Sequence, residues 1–503
     1  MAGSPTLPLR PGYDPTDADS ILRFGLKIEG KTAREICAIS GVSDPSARPG
    51  WRGSKGVLGD VMEAYYGIPK NNSPMADFPE AGVELKVLPI KRGARTGGLL
   101  VKEPTSISMI DYVTLPSETW EGPAAVRKKL ERILFAFFVI EASDVMASSL
   151  RAVELWAAGD LDRALFREDW EETRAKVASG RAHLLSEADA KVLAARRKGA
   201  GGEGSDLRHY REDAPPAKSR AWALKSAFTR QIFEERVLGI KFERALKKNV
   251  DETAQDPVAL AVDRIRAVLS PFQGRTLLDI ARARGLRVGQ GKNLAATIIK
   301  KALGFRNVNA KILELEQLGI DVKTLNLRSS DGWPFEAVSF PSVHLSELAE
   351  QEWEGLETDD GTTIKESSEL RDQLHAILFV PTYSAGAGLP QPKRTLGSPF
   401  LWAPSEEEWA TIRREWEMYR EEVTEGKARY HVMEGGTRRR NDLTKASRTK
   451  IIHMRPHGRR ADDEDIDPRG NRVTKQCFWL NQRFVQELVR TRAWPPPTRS
   501  GEG

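Results

Sequence analysis

Glu63 closes the segment Lys55-Gly56-Val57-Leu58-Gly59-Asp60-Val61-Met62-Glu63, Asp77 and Glu84 follow it, and Lys86 stands two residues past Glu84. Carboxylates in this number and order, closed by a lysine, suit phosphodiester cleavage with a divalent cation. Such a cation neutralises charge on the scissile phosphate and lowers the pKa of an attacking water. Mg²⁺ is the expected ion, because it takes hard oxygen ligands, only one or two of them carboxylates, and keeps waters and phosphate oxygens for the rest. Asp77 and Glu84 would supply the carboxylates. Lys86 would orient the water and stabilise its hydroxide form. Glu63 would bind a second ion or hold the ion's waters. The spacing alone also occurs on solvated sheet faces, so the elements around it matter.

Gly82-Val83-Glu84-Leu85-Lys86-Val87-Leu88 alternates as a strand does. That puts Glu84 and Lys86 on one face and Val83, Leu85 and Val87 into a core. Glu63 falls on a helix over 59–66, with Val57, Val61 and Met62 offering its apolar side. Before it come helices over 17–24 and 32–39 and a loop rich in Pro, Gly and Arg over 41–54. After the motif, strands are expected at 99–101, 106–113 and 133–140, with a helix over 124–132 between the last two. A helix over 168–177 stops at Gly180, a Gly-rich charged loop spans 197–218, and a helix or strand-helix element covers 222–237. This alternation fits an α/β nuclease core around a central mixed sheet.

The frame recurs. Lys292, Lys300, Glu314, Asp321 and Lys323 stand where Lys55, Glu63, Asp77, Glu84 and Lys86 stand, each displaced by 237 residues. Leu318-Gly319-Ile320-Asp321-Val322-Lys323 echoes Ala81-Gly82-Val83-Glu84-Leu85-Lys86. A period near half the chain means two copies of one domain, not a solenoid. We place the copies at 1–245 and 246–503, with a polar linker over 247–256. The copies differ in chemistry: Lys300 replaces Glu63, and a lysine there repels a cation. The second copy therefore reads as a degenerate, DNA-gripping one, and the first as the cutting one.

The motif block, Lys55 to Glu63, then Ala76-Asp77-Phe78, then Gly82-Val83-Glu84-Leu85-Lys86, resembles the MutH superfamily of DNA endonucleases. These comprise mismatch-repair nickases and tandem two-domain type II restriction enzymes that cleave GATC. The resemblance implies two tandem restriction-endonuclease-like, PD-(D/E)xK, folds, each with a central mixed sheet flanked by helices. It implies catalysis by Glu63, Asp77, Glu84 and Lys86, and a second domain that binds another site copy as an effector. It implies DNA contacts by Lys55 with Gly56, by the matching Lys292, and by Lys129 after the catalytic strands. The family's late-loop Arg-Pro pair, suited to guanine O6 and N7, is Arg455-Pro456. The first copy has Arg196-Arg197 there, without the proline. The aromatic position that follows is Trp479, against Ala223 in the first copy, where Lys225 remains to meet phosphate. Loss of that aromatic from the cutting copy weakens the case for methyl-adenine discrimination.

The 503 residues carry 77 Lys and Arg against 71 Asp and Glu, a net charge of +6 that permits nucleic-acid binding without requiring it. Two cysteines exclude a disulfide framework and a C-x-x-C zinc site. The first sixteen residues read as a Pro- and Gly-rich leader, not a secretion signal. The longest apolar run, 133–140, is too short to span a membrane. A cytoplasmic protein is expected, with double-stranded DNA as partner, a DNA-induced dimer or looped complex, and a cognate methyltransferase in the same system. Three competing classes remain: a mismatch-repair nickase, a nuclease of modified DNA, and a binding-only regulator. The last has no reason to keep Glu63, Asp77, Glu84 and Lys86 together.

Overall fold

A computed structural model describes residues 12–45, 56–69, 75–92, 98–101, 103–122, 125–141, 143–199, 206–244, 256–286, 294–307, 309–358, 363–432, 439–457 and 463–493. Lys55, Lys292, most of the expected linker and the Pro-rich tail lie outside them. The chain divides into two compact units. The first comprises Met1–Ile240, Asn249–Pro257 and Glu354–Ile364; the second comprises Lys241–Lys248, Val258–Trp353 and Lys365–Gly503.

The first unit opens with helices α1 (Ala18–Leu26), α2 (Ala33–Ile39) and α3 (Gly56–Tyr66). Thr32 and Glu35 form a capping box that starts α2, satisfying backbone N–H groups that a helix terminus leaves without partners. Strands β1 (Glu84–Arg92), β2 (Leu99–Val101) and β3 (Thr105–Met109) follow. Then come α4 (Ala125–Glu131), β4 (Arg132–Val139), β5 (Ser149–Ala157) and α5 (Asp160–Ala178). The unit closes with β6 (Leu193–Arg197), β7 (Arg220–Leu224) and α6 (Ser226–Arg236).

The main sheet has order β2-β1-β4-β5. Its β1–β4 pair is parallel and its outer pairs antiparallel, so the sheet is mixed. The apolar run of β4 is buried on both faces, as a central parallel strand must be. On one face Ile21, Ile36, Val61 and Met62 of the three helices pack against Val83, Leu85, Leu134 and Phe138. On the other, Phe135, Phe137 and Trp156 meet Phe166 of α5 and Phe228 and Phe233 of α6. A smaller antiparallel sheet is formed by β3, β7 and β6.

In the second unit, α7 (Leu294–Ala302) and α8 (Leu313–Gln317) precede β8 (Ile320–Arg328) and β9 (Val338–Val343). Next come β10 (Ala376–Ser384), β11 (Thr395–Leu396), β12 (Phe400–Trp402) and α9 (Glu406–Thr424). Strands β13 (Ile452–Pro456) and β14 (Gln476–Leu480) and helix α10 (Gln482–Arg492) complete it. Strands β8 and β10 are parallel, with β11 and β12 antiparallel to β10. A second sheet has order β9-β14-β13. Trp402, Trp416, Tyr419, Phe478 and Val485 share its core, which accounts for Trp402 and Trp416 as packing residues.

The expected helices over 17–24, 32–39, 59–66 and 124–132 are present as α1 to α4. Some expectations shift. The strand expected over 106–113 ends at Met109, because Pro116 sits in a helical turn over Leu115–Ser117. The helix expected from residue 168 starts at Asp160, behind Gly159. Strand β5 lies in a stretch for which no element was expected. Arg196 and Arg197, expected on a loop, end strand β6.

Candidate active site

A tight turn brings the two central carboxylates together. Phe78 and Val83 exchange backbone hydrogen bonds of 2.9 and 3.1 Å, and Gly82 turns the chain at φ +63. Glycine adopts that left-handed conformation without the Cβ penalty other residues meet. The turn sets Asp77 beside the start of β1, where its Oδ2 accepts a 2.8 Å hydrogen bond from the Leu85 N–H. Glu84 opens β1 and Lys86 follows on the same face. That face is not open to solvent: Glu84 is 1% exposed, and Leu88 and Ile90 farther along it are buried. A central strand is covered on both sides, so the alternation of polar and apolar residues here does not mark a wet sheet surface.

Two ammonium groups share one oxygen of Glu84. Lys86 Nζ lies 2.7 Å and Lys129 Nζ 3.1 Å from Oε1. The other oxygen, Oε2, is buried with no hydrogen-bond partner. Burial, and next the charge of Glu84, push the Asp77 carboxyl above the usual carboxylate range, against the pull of Lys86 and of the Leu85 N–H. Burial pulls the Lys86 ammonium down, but the charges of Glu84 and Asp77 outweigh it, and the net shift is upward, with Glu63 adding to it. Glu63, half-buried on α3, is thus close enough to be felt by Lys86. Among the described residues no three or more His, Cys, Asp or Glu groups are set to hold one metal ion together. The pair Asp77 and Glu84 still fits a divalent cation. A buried carboxylate oxygen without a partner, beside a carboxyl raised by burial and by its neighbour's charge, is what a cation would relieve.

The other candidates are distributed differently. Gly56 begins α3. Lys129 lies in the carboxylate cluster and is buried there. Arg196 is also buried, with its Nε 2.9 Å from Glu357 Oε2; Lys198 and Ser106 reach the other oxygen of Glu357. Arg197 pairs with Asp206 at 2.7 Å, and Lys225 donates to the carbonyl of Ala190. Neither arginine is presented as an open base reader: Arg196 is buried, Arg197 half-buried, and each is paired with a carboxylate. Glu357 stands 161 residues from Arg196, and no local signal announces it. Arg220, which pairs with Glu354 at 3.1 Å, was likewise not singled out.

In the second unit, Arg455 and Pro456 are exposed at the end of β13. The Arg455 guanidinium lies 3.8 Å from the Trp479 ring centroid, a cation–π geometry. Just inside the sheet, burial pushes the His453 imidazole down to about 4, and its Nδ1 is 2.6 Å from Asn481 Oδ1. Asp321 is exposed on β8 and pairs with Lys323 at 2.9 Å. Glu314 is buried on the short helix α8, and Lys300 lies on α7. Asp321 is thus exposed where its counterpart Glu84 is buried.

A family model described as "DNA mismatch repair enzyme MutH" matches the chain twice, over residues 66–169 and 303–415. The matches begin 237 residues apart, the offset of the internal repeat. The chain is 26% identical over 474 residues to the "Type II restriction enzyme Sau3AI" of Staphylococcus aureus, covering 87% of this chain and 92% of that one. It is 28% identical over 225 residues to the "DNA mismatch repair protein MutH" of Vibrio cholerae, covering 44% of this chain and 96% of the relative. The same protein of Vibrio parahaemolyticus is 25% identical over 233 residues, covering 46% and 99%.

Proposed function

The chain belongs to the MutH family of DNA endonucleases, and on that premise we propose that it is a type II restriction endonuclease cutting both strands of DNA at GATC or a close relative. The observation that carries the reading is the buried Glu84, opposite Asp77 and beside Lys86, in the first unit. The catalytic residues are Glu63, Asp77, Glu84 and Lys86. A divalent cation, Mg²⁺ in this reading, would be held by Asp77 and Glu84, and when bound it would neutralise the scissile phosphate and acidify the attacking water. Asp77 is pinned for this by the Leu85 N–H. Lys86 donates to the attacking water and orients it in line with the leaving oxygen. Glu63, on the facing helix, holds the surrounding waters. The water gives up a proton to solvent as its oxygen bonds phosphorus, the bond from phosphorus to the 3′ oxygen breaks, that oxygen takes a proton from solvent, and the 5′ end keeps the phosphate.

The second unit is a tandem, degenerate copy that grips another site as an effector, with Arg455, Pro456 and Trp479 facing DNA. Two-site engagement leads to a DNA-bridged dimer or a loop. A methyltransferase of the same system protects the host sites. Restriction is preferred to nicking because the restriction enzyme among the relatives is matched over nearly its whole length by this two-unit chain, whereas the nickases match less than half of it.

The test is incubation of unmethylated and adenine-methylated plasmid with Mg²⁺, using the wild type and Glu84→Ala, followed by sequencing of the ends. Discrete double-strand cuts at GATC, reduced on the order of a thousandfold or more in the variant, are expected. Nicks alone would move the assignment to the repair type. No cleavage despite tight duplex binding would end it.

A further inference from the structure

The contact between Lys129 and Glu84 has a peculiar balance. Lys86, from the same strand as Glu84, already pairs with Oε1 at 2.7 Å. A second ammonium arrives from another element: Lys129 sits at the end of α4, which runs into β4, and β4 sets Ile133 beside Glu84 in the parallel register. Its Nζ reaches the same oxygen at 3.1 Å, and its side chain is only 9% exposed. One buried carboxylate thus carries two unit positive charges, the charge of one divalent ion, while Oε2 has no partner. In this position the Lys129 ammonium is committed to Glu84. Its four-carbon stem is flexible and its head is a point charge without fixed directional demands, so it can leave one anion for another at little geometric cost.

We propose that Lys129 is a displaceable counter-ion. It neutralises Glu84 while no divalent cation is bound, is released when one binds, and then takes a DNA phosphate near the cleft. This rests on Asp77 and Glu84 being the cation site. The exchange couples the two ligands through one side chain: the cation frees the lysine for DNA, and DNA holds the lysine away from Glu84. Such coupling is reciprocal by thermodynamic necessity. It requires Lys129 to oppose cation binding in the free protein and to favour it in the DNA complex.

Two measurements on the full chain test this. The first is a DNA-free Mn²⁺ titration read by electron paramagnetic resonance. Lys129→Met should bind Mn²⁺ about tenfold more tightly than wild type, while Lys129→Arg, which keeps the charge, should stay within about threefold. The second is affinity for a short GATC duplex with Ca²⁺ against EDTA. Ca²⁺ should strengthen wild-type binding about tenfold and leave the Met variant nearly unchanged. Equal Mn²⁺ affinity in wild type and the Met variant, or equal Ca²⁺ enhancement, overturns the proposal. Asp77→Asn separates the two failures. If it abolishes Mn²⁺ binding while Lys129→Met changes nothing, the cation site stands and the counter-ion role falls. If it binds Mn²⁺ as wild type does, both fall. Should the Met variant not fold by circular dichroism, Lys129→Gln carries the same comparison.

Discussion

At the scale of single residues, the first unit places negative charge where folding alone would not. Asp77 is pushed above the ordinary carboxylate range by burial and by Glu84. A carboxyl whose pKa is raised in the folded state contributes stability at low pH that is lost as pH rises through the folded value. Asp77→Asn keeps the neutral form at all pH and retains an oxygen for the Leu85 N–H. We therefore expect it to raise the melting temperature at neutral pH in the absence of divalent ions, while lowering cleavage on the order of a thousandfold. Calorimetry in EDTA and a plasmid assay check the pair of effects; a fall in melting temperature would mean that Asp77 has a structural duty instead. Adding divalent ion should favour the wild type, because only it gains a binding free energy for the folded state.

Elements explain how far the sequence could be read. Helix α2 announced itself by its Thr32 and Glu35 cap, and β4 by its unbroken apolar run. Strand β1 was legible from the alternation around Glu84 and Lys86, although burial of both faces was not. Strand β6 was hidden, since Ala195-Arg196-Arg197-Lys198 has the composition of a basic loop, and only distant partners such as Glu357 make those charges tolerable inside. The start of β6 is clasped by another remote group. Asp169 of α5 accepts hydrogen bonds from the backbone N–H groups of Lys191, Val192 and Leu193. In the second unit Glu415 of α9 does the same for Lys450, Ile451 and Ile452 ahead of β13. Burial pushes the Asp169 carboxyl up to about 6, against the pull of those three N–H groups. The folded chain therefore keeps a proton between about pH 4 and 6 that the unfolded chain releases, and stability falls as pH rises through that window. The group's share is at most about 3 kcal/mol. Asp169→Asn should be destabilised by about 1–3 kcal/mol near pH 4, where it loses hydrogen bonds. The gap to wild type should shrink toward neutral pH. Urea unfolding of both proteins across that range measures it, and a gap that widens with pH would contradict the assignment.

For the whole molecule, the two units carry different surfaces. The first pairs its candidate arginines Arg196 and Arg197 with carboxylates, whereas the second presents Arg455 against Trp479. If the second unit grips DNA, Arg455→Ala should weaken duplex binding by about 1–3 kcal/mol and lower the salt slope of binding by about one. Folding should be intact, because Arg455 is exposed. Fluorescence anisotropy over a salt series reads both quantities. Unchanged affinity and slope would remove Arg455 from the interface. That this unit's frame carries a lysine in place of one carboxylate was legible from Lys300. The exposure of Asp321 was not, because it depends on what covers β8.

The parallel pairing of β1 with β4 bears on how the molecule is made. Asp77, Glu84 and Lys86 emerge from the ribosome together, within a few residues of one another. Their neighbour strand comes only after the crossover between Arg92 and Arg132, which itself carries Lys129, since parallel strands cannot be joined by a tight hairpin. A nascent chain that has reached Arg92 therefore has the acidic pair but neither the strand that lines it nor the charge that balances Glu84. On the proposed function, the centre would be completed only when the fold closes, and a product ending at Arg92 would lack it.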